Sequence, residues 1–181
     1  MKVLILVADG FDDLTLFVPW YRLREEEVAV TIAAPLLHAV SGTHGYVVEP
    51  DAVIHEINPA DFDGLLIPDG PAAERLRLRE EAVDVVRTFV EDGMKVAAIG
   101  HGLQVLLSAG ALDGRRVTCA PGIRDDVRAA GAIYSDEAAI IDGPLVTGRG
   151  PDDLPAFTHA LMTHLGTPRK LKVKNGNAPR S

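Results

Sequence analysis

The sequence predicts an α/β protein built on a mostly parallel sheet that helices cover on both faces. Three observations carry this. Short apolar runs rich in β-branched residues recur along the chain, they alternate with helix-length amphipathic stretches, and several are apolar on every residue rather than on alternate ones. A strand buried on both faces needs that last pattern.

In order, residues 3–8 (Val-Leu-Ile-Leu-Val-Ala) form the first strand, and residues 14–26 a helix in which Pro19 must lie near the first turn or cause a kink. Residues 28–34 give the second strand. Residues 36–58, with Ser41-Gly42 and His44-Gly45 among extended pieces, read as a hairpin excursion. Residues 64–68 are a buried strand running into a loop, and residues 79–91 a helix with Val83, Val86, Phe89 and Val90 on one face. Residues 94–99 are another buried strand. Gly100-His101-Gly102 turns it straight into a helix over 103–109, which Gly110 closes. Short strands follow at Val117, 133–134, 139–141 and 145–147, the last two joined by a turn at Asp142-Gly143. Gly150-Pro151-Asp152-Asp153 opens a final helix reaching about residue 165, with proline and acids placed where a helix start favours them. No repeat or linker interrupts this, so residues 1–166 read as one domain and residues 167–181 as a basic C-terminal tail holding Arg169, Lys170, Lys172, Lys174 and Arg180.

Composition narrows the function classes. With 47% apolar and 24% charged residues the chain is ordinary for a globular protein, and a formal charge of −8 argues against nucleic-acid or anionic-membrane partners. A single cysteine, Cys119, permits no internal disulfide and fits a reducing, cytoplasmic setting. The apolar N-terminal run is too short for a membrane span and lacks a cleavage pattern.

Ligands bind open parallel sheets at the carboxyl ends of the strands. Three such ends carry chemistry here: Asp9-Gly10-Phe11-Asp12-Asp13, then Pro68-Asp69-Gly70-Pro71 with Glu74, and Gly100-His101-Gly102. Singly, each reads as a helix cap or a turn. Their convergence on one edge points to a site.

Ala97-Ala98-Ile99-Gly100-His101-Gly102, with Gln104 and Ser108-Ala109-Gly110, closely resembles the nucleophile elbow of the ThiJ/PfpI superfamily, whose pattern there is Ala-x-Ile-Cys-His-Gly. Gly10-Phe11-Asp12-Asp13, His44-Gly45-Tyr46, Asp61-Phe62-Asp63-Gly64, Pro121-Gly122 and Pro151-Asp152-Asp153-Leu154 extend the resemblance to about residue 165. It implies a flavodoxin-like (Rossmann-like) three-layer α/β/α sandwich. It also implies a triad at position 100, His101 and Glu74, with Glu74 supplied across a subunit contact and the chain therefore a homo-oligomer. Asp12 would lean on the nucleophile, and the backbone N–H groups near Gly70 and His101 would form an oxyanion hole. His44, Gly70, Gly100 and Ala120 would line the substrate site.

The sequence departs from that pattern at its centre. Gly100 replaces the cysteine and has no side chain to attack a carbonyl. Asp69 stands where the family has the first glycine of Pro-Gly-Gly, placing a carboxylate beside the oxyanion hole unless it is protonated or turned away. Ala120 replaces a common aromatic residue. Cys119, one residue earlier, reads as a small buried side chain rather than a relocated nucleophile.

Two readings follow. One is a cysteine-less enzyme of hydrolase, hydratase or lyase type acting on a small molecule, with Asp12, Asp69, Glu74 and His101 supplying general acid and base groups: His101 as base, Asp12 as its acid partner, and Asp69 orienting or polarising the substrate or a water. The other is a non-catalytic relative that binds a small ligand or acts through assembly. No cofactor is expected. No metal is expected either, because among the six histidines none forms a close-spaced pair at the site.

Overall fold

The computed structural model describes residues 1–166; the basic tail lies outside them. A seven-stranded sheet has the order β10-β11-β7-β6-β1-β2-β5. Its strands are β1 (Lys2–Leu6), β2 (Ala29–Ala34), β5 (Ala52–Val53), β6 (Gly64–Ile67), β7 (Lys95–Ile99), β10 (Ala139–Asp142) and β11 (Leu145–Gly148). All neighbours pair in parallel except β10, which returns antiparallel to β11 through the turn at Gly143. Two minor ribbons lie outside this sheet: β3 (Val40–Ser41) with β4 (Val47–Val48), and β8 (Arg116–Val117) with β9 (Ile133–Tyr134).

Helices α1 (Asp13–Glu25) and α6 (Leu154–Leu165) pack together on one face. Helices α2 (Ala72–Arg77), α3 (Glu80–Glu91) and α4 (Leu103–Ser108) pack together on the other, and α5 (Arg124–Ala129) packs on β9. The mostly parallel sheet between two helical layers is the flavodoxin-like sandwich predicted. The core follows from the apolar runs: Leu4, Ile5, Leu6, Leu66, Ile67, Ala98 and Ile99 are wholly buried between the layers.

Several elements differ from the sequence reading. Helices α2 and α5 and strand β5 were not anticipated, because six-residue helices and a two-residue strand are too short to display a period. Pro19 lies inside α1, buried and beyond its first turn. A turn of 3-10 helix, Gly100–Gly102, intervenes between β7 and α4, and a second, Pro151–Asp153, precedes α6. Among the described residues no helix is long and apolar enough to cross a membrane.

The sheet topology locates the site. The chain runs from β1 outward to β2, then crosses back to add β6 and β7 on the other side of β1. Loops leaving β1 and β6 therefore diverge, opening a crevice at their carboxyl ends. A buried carboxylate braces one wall. Asp13, 3% exposed, accepts N–H bonds from His44 at 2.7 Å and Tyr46 at 2.9 Å, tying the β3–β4 turn to the start of α1. Burial alone would raise the Asp13 pKa, but the His44 and Tyr46 hydrogen bonds outweigh it and hold the carboxyl below its ordinary value.

A depressed carboxyl stabilises the fold above its unfolded value of about 3.9, and that contribution disappears as pH falls through the lower folded value. Asp13→Asn should therefore lower the unfolding free energy by about 1–3 kcal/mol at pH 7 and by much less at about pH 3. Urea melts of both proteins at the two pH values check this, and an equal loss at both would discount the charge.

Candidate active site

Strands β6 and β7 run in register with Ile67 opposite Ala98. Continued two residues, that register sets Asp69 across from Gly100. The loop after β6 is held from α1: the Asp69 N–H donates to Thr15 Oγ1 at 3.0 Å, and Thr15 Oγ1 donates to the Asp12 carbonyl at 3.1 Å. The Asp12 N–H donates in turn to the Asp69 carbonyl at 2.8 Å. This close approach needs Gly70. With φ +108°, a Cβ there would lie 2.5 Å from the Gly10 carbonyl oxygen and 2.6 Å from the Asp12 nitrogen.

The Asp69 side chain is buried and directed at the turn after β7. Its Oδ1 accepts three hydrogen bonds: from the Gly70 N–H at 2.6 Å, from the His101 N–H at 2.7 Å, and a ring contact with His101 Nδ1 at 2.9 Å. The two backbone groups are those the resemblance implies for an oxyanion hole, and here the Asp69 carboxylate takes both. Gly100 permits it. A Cβ at Gly100 would overlap Asp69 Oδ2 and Cγ and lie 2.5 Å from Oδ1, in a backbone of φ +59°. Asp69 thus fills the space that a side chain at position 100 would take.

Because a carboxylate accepts but does not donate, Nδ1 of His101 carries the proton in this contact and Nε2 is left as the free ring nitrogen. The hydrogen bond that His101 donates to Asp69 raises the His101 pKa above 6.5; burial opposes this and the Asp69 charge adds to it. His101 keeps 42% of its side chain exposed and lines a cavity of about 230 Å³ with Gly70, Pro71, Glu74 and Gln104. A larger hollow of about 400 Å³, between Asp9, Leu36 and Arg75, does not contain His101. The smaller cavity is the candidate site because it holds the ion-paired histidine.

The remaining predicted residues fall as follows. Glu74 is exposed on α2 at the cavity edge. Asp12 caps α1, with Oδ1 accepting from the Thr15 N–H at 2.9 Å; the acid on His101 is Asp69, not Asp12. His44 is held by Asp13, outside the cavity lining. Ala120 is buried, and Gly122 comes near His101 instead: a Cβ there would lie 3.8 Å from Nε2. Cys119 is fully buried, and burial pushes its thiol up to about 12, far from a reactive thiolate. Sequence reasoning missed the positioning role of Thr15, the brace at Asp13 and the wall formed by Gln104. The spacing Asp12-x-x-Thr15 before an apolar stretch was the available signal for the first. Among the described residues, no group of three or more His, Cys, Asp or Glu side chains is placed to hold a metal ion.

A strand-to-helix elbow at the switch of an open parallel sheet, with a histidine following the turn, defines the general class. The particular family is the DJ-1/PfpI family: its model matches residues 1–164, and the chain belongs to it. A protein of Archaeoglobus fulgidus is 49% identical over 162 residues, 90% of this chain and 96% of that one. Deglycase PfpI of Pyrococcus furiosus is 45% identical over 157 residues, 87% and 95% of the two chains. Protein/nucleic acid deglycase 2 of Escherichia coli is 38% identical over 168 residues, 91% and 98%. Among solved structures, a two-domain protein of Anabaena variabilis with DJ-1/ThiJ/PfpI-like and ferritin-like domains superposes with a TM-score of 0.92 at 33% identity. It covers 98% of this chain, which spans only 55% of that longer one.

Two measurements test the Asp69–Gly100 arrangement. Gly100→Ala should destabilise the protein by about 2–4 kcal/mol, summing a side chain in left-handed backbone and overpacking. Adding Asp69→Gly to it should recover the overpacking part, and denaturant melts that simply add would contradict the steric pairing. By NMR titration His101 should have a midpoint above about 6.5 that falls in Asp69→Asn. The stability this pair gives is complete below about pH 6.5 and is lost as pH rises through the folded midpoint.

Proposed function

We propose that this chain is a small-molecule enzyme of hydrolase, hydratase or lyase type that uses acid–base chemistry without a cysteine. The supporting observation is the 2.9 Å contact between Asp69 Oδ1 and His101 Nδ1, which orients the imidazole and leaves Nε2 to take or give a proton at the cavity. In this reading a carboxylate behind a histidine does what it does in a hydrolytic triad, fixing tautomer and ring direction, while water or the substrate replaces the side-chain nucleophile. Glu74 serves as a second proton carrier at the cavity edge, and Gln104 hydrogen-bonds the substrate. Asp12 is left with its capping role.

The names of the relatives favour an enzyme over a purely structural role, since several are called deglycases. Gly100 withholds a side-chain nucleophile at the elbow, so a covalent route through that position is not part of the proposal. A cytoplasmic homo-oligomer completes the reading, with exposed Glu74 on a face of α2 that a second copy would reach. Light scattering on the eluted protein should give a mass above the monomer, and full turnover by a monomer would remove self-association from the site.

A second reading is favoured by one observation: Asp69 already occupies the Gly70 and His101 N–H groups that would hold a developing oxyanion. On that account the crevice binds a ligand and does not turn it over. The discriminating experiment is conversion of a panel of glyoxals, isocyanides, activated esters and a metabolite extract, read by mass spectrometry. His101→Ala and Asp69→Asn should each lower conversion by about 10²–10⁴. Because Asp69 raises the His101 midpoint, Asp69→Asn should also shift the rising limb of the pH–rate profile to lower pH. A metabolite retained unchanged supports the binding reading, and conversion indifferent to both substitutions removes this site.

A further inference from the structure

We infer that this chain carries a second ligand site, apart from His101, that binds a free α-amino acid with an apolar side chain. The site is the hollow of about 400 Å³ beside Asp9 and Arg75. It is independent of the acid–base reading above. Its place in the fold is the first reason. Ala8 and Asp9 follow β1, and Pro35 follows β2, the parallel neighbour of β1. The hollow therefore opens at the carboxyl ends of adjacent strands, where such sheets take up ligands.

The second reason is the state of its charges. Acids outnumber Lys and Arg by 26 to 18, and Arg22, Arg87, Arg116, Arg124, Arg128 and Arg149 each meet a carboxylate. Arg77 donates to Ser108 Oγ at 3.0 Å. Arg75 and Arg79, on either side of it, have no side-chain partner among the described residues, and both line the hollow. Their main chain is set: Arg75 belongs to α2, and the Arg79 N–H donates to the Leu76 carbonyl at 2.9 Å just before α3. Asp9 lines the same hollow. Its Oδ1 accepts the Ser41 N–H at 2.9 Å, while the Gly10 N–H donates to the Ser41 carbonyl at 2.7 Å, so the acid is held against β3. Among the described residues, Oδ2 of Asp9 accepts no hydrogen bond and no ion pair joins Asp9 to either arginine.

A ligand must answer both signs. A plain anion would meet the Asp9 carboxylate, and a plain cation would meet two guanidinium groups. A zwitterion satisfies all three, its ammonium donating to Asp9 and its carboxylate taking the forked donors of the arginines. The walls select the side chain. Val40 and Ala8 are buried at the base, and Leu36 and Leu78 at the mouth are 58% and 79% exposed. An apolar side chain seated between them would remove that leucine surface from water. A volume of about 400 Å³ lies at the small end of ligand pockets, which suits a single amino acid with ordered water.

The test is calorimetric titration of the full-length protein with L-leucine, with 4-methylpentanoate, which lacks the ammonium, with leucinamide, which lacks the carboxylate, and with glycine, which lacks the side chain. Leucine should bind once per chain and each of the others about 10–100-fold more weakly. Asp9→Asn, which keeps an acceptor for the Ser41 N–H, should weaken leucine by a similar factor and leave 4-methylpentanoate unweakened. Arg75→Ala should weaken both. His101→Ala should bind leucine as the wild type does, which sets this site apart from the cavity of about 230 Å³. Circular dichroism establishes that each variant is folded; if one is not, the analogue series on the wild type decides alone. No binding of leucine at millimolar concentration overturns the site. Equal binding of 4-methylpentanoate, leucinamide or glycine overturns the amino-acid assignment. Leucine binding lost in His101→Ala, or unaffected in both Asp9→Asn and Arg75→Ala, overturns its location. None of these outcomes bears on turnover at His101.

Discussion

The three hydrogen bonds converging on Asp69 Oδ1 organise the candidate site. They join the end of β6 to the turn after β7 and fix the direction of the His101 ring. A buried carboxylate is costly to hold unless its acceptor capacity is used, and two backbone N–H groups and an imidazole meet that demand on one oxygen. Everything nearby is arranged to keep the carboxylate there. Thr15 holds its main chain from α1, Gly70 allows the loops after β1 and β6 to approach, and Gly100 clears the volume it fills.

Asp69 and Gly100 are therefore one structural unit distributed over two strands. Each alone reads as a local oddity: a carboxylate where a glycine is expected, and a glycine where a thiol is expected. Together they place a carboxylate from the loop after β6 in the space in front of the elbow after β7, on the Gly70 and His101 N–H groups and beside the His101 ring. The fold is the family's, a mostly parallel sheet between helical layers, and the fold by itself does not set the chemistry at its switch point.

Much of the fold was legible because burial on both faces leaves an unmistakable trace: β1, β6 and β7 are continuous apolar runs, while Gly110 after α4 and Gly143 between β10 and β11 mark turns in left-handed backbone. Helices α2 and α5 were illegible because six residues complete too few turns to show a face. The elbow, His101 and the neighbourhood of Asp69 could be read from local motifs. The partner of His101 could not. Asp12 and Asp69 both precede helices at strand ends, and only the register of Ile67 on Ala98 decides which carboxylate stands beside the imidazole. Asp13 was hidden for a related reason, since its partners His44 and Tyr46 lie some thirty residues away and use their backbone.

The buried state of Cys119 has a bearing on the conditions under which such a site can operate. A thiolate at an elbow is the group that peroxide converts first, through sulfenic to sulfinic acid, and its loss ends the chemistry it supports. Here the chain's one sulfhydryl is enclosed and kept protonated, and the groups facing the cavity are a carboxylate, an imidazole and an amide. None of these belongs to that oxidation ladder. Peroxide that would silence a sulfur-based counterpart therefore meets no sulfur among the side chains lining this crevice.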